Sequence, residues 1–130
     1  MRRWIEKTDV RPGIVLCSSA ARARQTLELM RPALGSPEVV SDERLYRASG
    51  EELLQRVRAL PDDVLEAMLV GHNPGLHELA LVLADDAGRA PLAENLPTGA
   101  LVTLDLPVSS WADVVEGEGT LESFVKPRDL

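Results

Sequence analysis

The pattern of apolar and polar positions along the chain predicts strands that alternate with helices. Two short apolar runs, over residues 14–17 and 66–70, are typical of buried strands because they are brief and bounded by turn residues. Residues 38–46 form a further extended piece that contains two adjacent valines. Alternation of apolar and polar residues predicts two more strands, over 100–106 and 119–126. The predicted strands are therefore all short.

Between these strands lie three segments in which apolar residues recur with helical periodicity, over 18–34, 49–60 and 75–84. Either Ser18 or Ser19 can cap the first helix. The second begins with a capping box formed by Ser49 and Glu52. Asn73 is placed to cap the third helix, and Pro74 suits its first turn.

The order of these elements predicts one α/β domain over residues 1–130. Apolar strands that alternate with helices indicate a mainly parallel sheet with helices on both faces. The last two strands are expected to form an antiparallel edge. Residues 1–13 resemble the last turns of a helix followed by a turn, and residues 85–99 are predicted to form a polar loop.

Composition and charge narrow the functional classes. The formal net charge is −7, which argues against general nucleic-acid binding because that function needs a basic surface. The sequence has no long apolar stretch, no signal-peptide core and a single cysteine, so we expect a cytoplasmic protein without a membrane partner. An arginine group in the first quarter of the chain is compatible with a small-anion site or with a solvated helix face. Its members are Arg2, Arg3, Arg11, Arg22, Arg24 and Arg31.

Two predicted strand-to-helix junctions carry the candidate chemistry. In open α/β sheets, ligands bind beyond the carboxyl ends of the strands, where helix N-termini attract anions. Arg22 follows the first junction, and its guanidinium could bind a phosphate through two parallel hydrogen bonds. His72 ends the later strand, where it could donate to a phosphate oxygen or transfer a proton. Taken alone, His72 is more often a turn residue and Arg22 a solvated one.

Taken together, the two junctions resemble those of a known family. The phrase SSAARARQT over residues 18–26, followed by VGHNPG over 70–75, is similar to the histidine phosphatase superfamily and specifically to small SixA-type phosphohistidine phosphatases. The resemblance continues in order through DERLYRAS, EELLQRVRALPDD, LPTGALVTLDL and FVKPRDL, so it covers essentially the whole chain. It implies a phosphoglycerate mutase-like, three-layer α/β/α fold.

The resemblance also implies a hydrolase in which a histidine takes the phosphoryl group and water then releases it. Phosphate would be bound by the arginine of a Ser-x-x-x-Arg-Ala phrase, here Arg22, and by the histidine of a Gly-His phrase, here His72. Ser18 and Asn73 would shape the two loops around the phosphate. Donors at these positions would stabilise the charge of the transferring group. The implied substrate is a phosphorylated protein histidine or a small phosphomonoester, with no cofactor and no metal.

The chain departs from the family in its nucleophile. The family's Arg-His-Gly or Arg-His-Ala motif follows its first strand, but this sequence has no Arg-His pair, and that strand and most of the next helix are missing too. His77 lies inside a predicted helix and cannot replace the nucleophile. We therefore expect an N-terminally truncated domain with little turnover, arising from a misplaced start codon, a gene fragment or a degenerate family member. The alternative is a non-catalytic anion-binding or interaction domain.

A second departure concerns the general acid. Many members of the superfamily carry a glutamate where alignment on Arg44 and Leu45 places Arg47. Without that acid, the site suits an easily departing group such as a phosphohistidine imidazole better than an alcohol.

Cys17 raises a third hypothesis, a cysteine phosphatase. The Cys-x4-Arg spacing to Arg22 is one residue short for that class, and a packed strand-end cysteine is favoured.

Overall fold

A computed structural model of the chain describes Ile5 and residues 10–127. The chain divides into two compact units, one made of residues 1–47 and 63–72 and the other of residues 48–62 and 73–130. The helix end predicted over residues 1–13 falls largely outside the described residues, although Ile5 itself is helical and fully buried. The interpretation as one domain over the whole chain stays a prediction.

The first unit contains a three-stranded parallel sheet. Its central strand, β1 (Ile14–Ser18), pairs with β2 (Glu38–Asp42) on one side and with β3 (Ala67–Val70) on the other. All five residues of β1 are buried, as expected for a strand with neighbours on both sides. The strands are parallel, so their carboxyl ends lie at one edge, where Ser18 pairs in register with Asp42. This edge carries the candidate site.

Helix α1 (Ala21–Met30) follows β1 and continues into a 3-10 turn (Arg31–Ala33). Its buried face includes Leu27 and Met30, which confirms the predicted apolar stripe. The predicted serine cap is wrong, because the residue at the cap position is Ala20 and no side chain caps the helix. The helix therefore begins with free backbone amides close to the sheet edge.

In the second unit, helix α2 (Gly50–Arg58) begins with the predicted capping box. The Ser49 hydroxyl accepts a hydrogen bond from the Glu52 amide at 3.1 Å. In return, the Glu52 carboxylate accepts from the Ser49 amide, also at 3.1 Å. This motif satisfies two backbone donors that the helix itself cannot pair, so the sequence alone determines where α2 starts.

Helix α3 (Gly75–Leu83) packs closely against α2. Gly50 permits this approach, because a Cβ atom at that position would lie only 2.6 Å from Cβ of Glu78. The Gly50 amide also donates a hydrogen bond to the Glu78 carboxylate at 2.9 Å. Glycine is thus required by the contact between the helices rather than by its backbone freedom.

The segment predicted as a polar loop contains a helix, α4 (Asp86–Ala93), so that prediction is wrong. Asp85 caps the helix, and its carboxylate accepts from the Gly88 amide at 2.8 Å. Gly88 and Pro91 both weaken the local helical signal. Leu92 is fully buried in the apolar core of the second unit. Burial of this leucine and the aspartate cap together outweigh the poor intrinsic helix propensity.

Two antiparallel strands, β4 (Leu101–Asp105) and β5 (Thr120–Val125), form a separate two-stranded sheet in the second unit. A parallel sheet, a small antiparallel sheet and interspersed helices confirm the predicted mixed α/β class. Within the described part of the chain, none of the helices combines the length and the apolar character that crossing a bilayer would require.

Candidate functional site

The carboxyl edge of the parallel sheet brings Ser18 and His72 into contact. Ser18 is the last residue of β1, and His72 lies just beyond the end of β3. The Ser18 hydroxyl oxygen is 2.8 Å from Nε2 of His72, although the two residues are 54 positions apart. Ser18 is fully buried and His72 is half-buried. The two junctions that the sequence singled out therefore meet through one hydrogen bond.

The bond to Ser18 limits how His72 can present its ring nitrogens. The Ser18 hydroxyl also accepts from the Ala20 amide at 3.3 Å. Because a serine hydroxyl has one proton and two lone pairs, it can still donate to Nε2 or accept from it. Nδ1 has no hydrogen-bond partner within the described part of the chain. A neutral His72 that accepts from Ser18 carries its proton on Nδ1, which makes Nδ1 a donor.

Tyr46 packs its ring against His72. The two ring centroids are 5.5 Å apart and the ring planes meet at 83°, which is an edge-to-face arrangement. Tyr46 follows the 3-10 turn Glu43–Leu45 at the end of β2 and is 50% exposed. This contact was not predicted from the sequence. Only the order of the strands in the sheet, which no local pattern reveals, brings the two rings together.

Arg47 is the next residue, and its charge lies over the Tyr46 ring. The guanidinium carbon is 5.2 Å from the ring centroid, a distance at which the ring attracts a cation. The backbone φ of Arg47 is +58°, in the left-handed region that non-glycine residues rarely adopt. The residue is exposed. A line of contacts thus runs from Arg47 through Tyr46 and His72 to Ser18.

Arg22 lies in the first turn of α1 and is exposed. Its carbonyl accepts from the Thr26 hydroxyl at 3.0 Å, but its guanidinium forms no hydrogen bond or ion pair with another described residue. The guanidinium is therefore available to a ligand. A cation in the first turn of a helix, beside unpaired backbone amides, suits an anion rather than a neutral group.

Asp42 and Arg44 form the other polar contact of this edge. The buried Asp42 carboxylate accepts from the Arg44 amide at 2.9 Å, from Nε at 3.0 Å and from Nη2 at 3.2 Å. The hydrogen bond to Asp42, and then the charge of Asp42, raise the pKa of Arg44 above its ordinary value. Arg44 is thus committed to a structural pair and is not the cation that the site offers to a ligand.

Asn73 does not cap α3, so that prediction is wrong. The cap position is occupied by Pro74, and the Asn73 side-chain amide donates instead to the Leu96 carbonyl at 2.6 Å. The reason is that this carbonyl, contributed by the segment after α4, lies within reach of the side chain. His77, one turn into α3, forms a 2.6 Å hydrogen bond to the Leu92 carbonyl. Both side chains fix structure within the second unit.

Cys17 is buried next to Ser18, and its thiol donates to the Ser18 carbonyl at 3.4 Å. Burial raises the pKa of this thiol, Arg24 opposes that rise and Glu28 adds to it. A raised pKa lowers the thiolate fraction at neutral pH, which favours a packed cysteine over a nucleophile.

Among the described residues, no three His, Cys, Asp or Glu side chains form a group able to hold a metal ion.

Sequence comparison identifies relatives across nearly the whole chain. Proteins named as uncharacterized from two strains of Mycobacterium tuberculosis are 34% identical over 130 residues, which covers 96% of this chain and 80% of theirs. A protein of Mycobacterium leprae with the same designation is 31% identical over 131 residues, covering 96% of this chain and 78% of its own. No protein-family model matches the chain.

Comparison with solved structures finds the same fold. A structure assigned as the phosphohistidine phosphatase SixA of Agrobacterium tumefaciens has a TM-score of 0.79 and 29% identity, covering 97% of this chain and 75% of that one. A second, from Nakamurella multipartitia, has a TM-score of 0.78 and 26% identity, covering 97% and 77%. The protein histidine phosphatase SixA complexed with tungstate has a TM-score of 0.75 at 22% identity, covering 98% and 77%.

Proposed function

We propose a phosphohistidine phosphatase function for this chain, which belongs to the same family as the mycobacterial proteins and has the fold of the SixA structures. The observation that carries the proposal is the contact between Ser18 and His72 at the carboxyl edge of the parallel sheet. This contact joins the two junctions that resemble the phosphate-binding phrases of the histidine phosphatase superfamily. A small phosphomonoester is the other substrate that such a site would accept.

In the proposed site, His72 and Arg22 bind the phosphoryl group. Nδ1 of His72 donates to one phosphoryl oxygen in the tautomer in which Nε2 accepts from the Ser18 hydroxyl. Arg22 supplies a guanidinium that matches two oxygens at once. Both donors stabilise the negative charge that is spread over the oxygens during transfer. Asn73 fixes the loop that follows His72 through its bond to Leu96.

The proposed reaction also needs a histidine that attacks phosphorus. The 130 residues contain two histidines, His72 and His77, and neither follows an arginine. His72 is bonded to Ser18 through Nε2, and His77 bonds the Leu92 carbonyl. Neither is assigned as the nucleophile, so this chain by itself should bind phosphate with little turnover.

Phosphate binding tests the site independently of turnover. Isothermal titration with inorganic phosphate should show affinity that falls roughly tenfold in Arg22→Ala, because a charge-assisted contact is lost. Arg89→Ala is the matched control, since Arg89 is an exposed arginine of α4 that has no part in the proposed site. Equal affinity in the two variants would contradict the role given to Arg22.

Turnover tests the assignment of the nucleophile. Hydrolysis of a phosphohistidine peptide should stay near background with the 130-residue chain. It should appear in a longer chain that carries an Arg-His motif before residue 1. Robust hydrolysis by the 130-residue chain that is lost in His72→Ala would overturn the view that the nucleophile is not among these residues.

A non-catalytic anion-binding or interaction domain is the second candidate. The observation that favours it is the absence of an Arg-His pair from the 130 residues. Both candidates predict phosphate binding, so the titration does not separate them. An in-frame stop codon directly upstream of Met1 would favour the binding domain, while an in-frame Arg-His motif would favour the enzyme.

A further inference from the structure

Arg47 is held in an unusual backbone conformation next to the proposed phosphate site. Its φ of +58° lies in the left-handed region, where a Cβ atom is crowded by the neighbouring carbonyl. Glycine or asparagine would adopt this conformation at lower cost. Strained positions of this kind cluster at functional sites, where the position of the side chain matters more than a low-energy backbone conformation. The side chain of Arg47 is therefore the feature to explain.

That side chain holds a positive charge one ring away from His72. The guanidinium carbon is 5.2 Å from the Tyr46 centroid, and the Tyr46 and His72 centroids are 5.5 Å apart. Arg47 and His72 therefore both contact the Tyr46 ring.

Arg47 differs from the other arginines near this edge in what surrounds it. Arg44 is committed to the buried Asp42 carboxylate through two side-chain hydrogen bonds. The guanidinium of Arg47 forms no ion pair with another described residue and lies over the Tyr46 ring. Glu43 and Glu51, the acidic residues four positions before and after Arg47, are both exposed. An exposed guanidinium that is preorganised by an aromatic ring suits a carboxylate, which it can bind through two parallel hydrogen bonds.

We propose that Arg47 is a specificity-determining residue that binds a carboxylate flanking the phosphorylated histidine of a polypeptide substrate. The inference rests on the proposed function, because it takes His72 as the phosphate-binding group. An open surface favours a polypeptide over a small molecule, since Tyr46 is half exposed and Arg47 is exposed. The chain as a whole is acidic, with a net charge of −7, so selection of an acidic segment depends on this local cation.

The test compares two phosphohistidine peptides that differ only in whether the flanking residues are aspartate or asparagine. Equilibrium binding to the wild-type chain should be roughly tenfold tighter for the aspartate peptide, and high salt should reduce the preference. Arg47→Ala should bind both peptides equally, Arg47→Glu should prefer the asparagine peptide, and Arg47→Lys should keep part of the preference. Affinity for inorganic phosphate should be the same in all four proteins.

Two control variants separate charge from backbone effects. Arg47→Gly removes the charge and relieves the left-handed strain, so it should lose the preference without losing stability. Arg89→Ala removes an exposed arginine of the second unit and should keep the preference. A preference retained in both Arg47→Ala and Arg47→Gly would overturn the inference, because the discriminating group would then lie elsewhere.

The outcomes also distinguish this inference from the proposed function. If inorganic phosphate does not bind the wild-type chain, the proposed function fails and the inference fails with it. If phosphate binds but the wild-type chain does not distinguish the peptides, only the role of Arg47 is wrong. Binding of phosphoglycolate, which carries both a phosphate and a carboxylate, tests whether the ligand is a small molecule instead of a polypeptide. If Arg47→Ala weakens its binding as much as that of the aspartate peptide, the polypeptide assignment is overturned.

Discussion

Two polar contacts at the carboxyl edge of one sheet, Asp42 with Arg44 and Ser18 with His72, are satisfied to different degrees. The buried Asp42 carboxylate accepts three hydrogen bonds from Arg44. In the second contact, Ser18 occupies Nε2 of His72, while Nδ1 has no partner among the described residues. Fully paired polar groups hold a turn in place, whereas a half-paired group keeps a donor for a ligand. In these two contacts, a structural group differs from a ligand-binding group in how many of its hydrogen-bonding atoms are paired, and not in its residue type.

The largest expected effect comes from removing the half-paired side chain. His72→Ala should lower the affinity for inorganic phosphate by about a hundredfold, close to about 2.7 kcal/mol, because a hydrogen bond to a charged ligand is lost. Isothermal titration measures this loss, and the free energy of unfolding should fall by only about 1 kcal/mol, because one hydrogen bond, to Ser18, is removed. The large ratio of binding loss to stability loss is the signature of a ligand-binding group.

His77→Ala is the matched control for that substitution. His77 forms its hydrogen bond to the Leu92 carbonyl, within the second unit. Its removal should lower the free energy of unfolding by about 1 kcal/mol and leave phosphate affinity intact. The opposite pattern, with phosphate affinity lost in His77→Ala and kept in His72→Ala, would show that His77 and not His72 binds phosphate.

A smaller effect is expected from removing the fully paired group. Asp42→Ala should lower the free energy of unfolding by about 2 kcal/mol, because the turn after β2 loses its cap and Arg44 loses its acceptor. Urea denaturation measures the change, and phosphate affinity should move by less than about threefold.

The control for Asp42→Ala is an ion pair at the surface. Oε1 of Glu28, on α1, lies 3.0 Å from Nη1 of Arg31 in the following 3-10 turn, and both side chains are well exposed. Glu28→Ala should therefore change the free energy of unfolding by less than about 0.5 kcal/mol. Equal destabilisation by Asp42→Ala and Glu28→Ala would mean that burial of the Asp42 carboxylate does not matter.

The smallest effect concerns Cys17, the buried neighbour of Ser18. Burial raises the pKa of its thiol, so the folded chain keeps the proton to higher pH than the unfolded chain does. The resulting stabilisation is fully present below the ordinary thiol pKa and is lost as pH rises through the raised value. Above about pH 9, the melting temperature of the wild-type chain should therefore fall more steeply than that of Cys17→Ala.

Thermal melts of both proteins between neutral and alkaline pH measure the difference in slope. The comparison uses slopes because replacing a packed cysteine by alanine also shifts the melting temperature by a constant amount. Parallel curves would show that the thiol titrates alike in the folded and unfolded chains, which would contradict its burial.

Elements that depend on local signals could be predicted from the sequence. The four apolar residues that begin β1 and the capping box of α2 could be recognised from the sequence, because strand burial and helix capping are decided within a few residues. Helix α4 was missed because its support comes from burial of Leu92, which is a tertiary effect. The Asn73 cap was wrong for a related reason, since the Leu96 carbonyl offered its side chain a distant partner.

In the candidate site too, some features could be predicted from local sequence and others could not. Ser18 and His72 could be named from the sequence because each follows an apolar run and lies in a recognisable phrase. Their bond could not be predicted from periodicity, since the strand order that joins them is a property of the whole sheet. Neither the contact of Tyr46 with His72 nor that of Arg47 with Tyr46 was predicted. An edge-to-face ring contact and a left-handed arginine leave no mark on hydrophobic patterning.

The close packing of α2 and α3 also constrains how the sequence can evolve. A side chain at Gly50 would overlap Glu78, and one at Gly75 would overlap the carbonyl of Ala48. Neither glycine has a part in the proposed phosphate site. Neither position tolerates substitution, however, because every other amino acid adds a Cβ atom. Selection acting on these two positions therefore preserves the spacing of two helices and carries no information about chemistry.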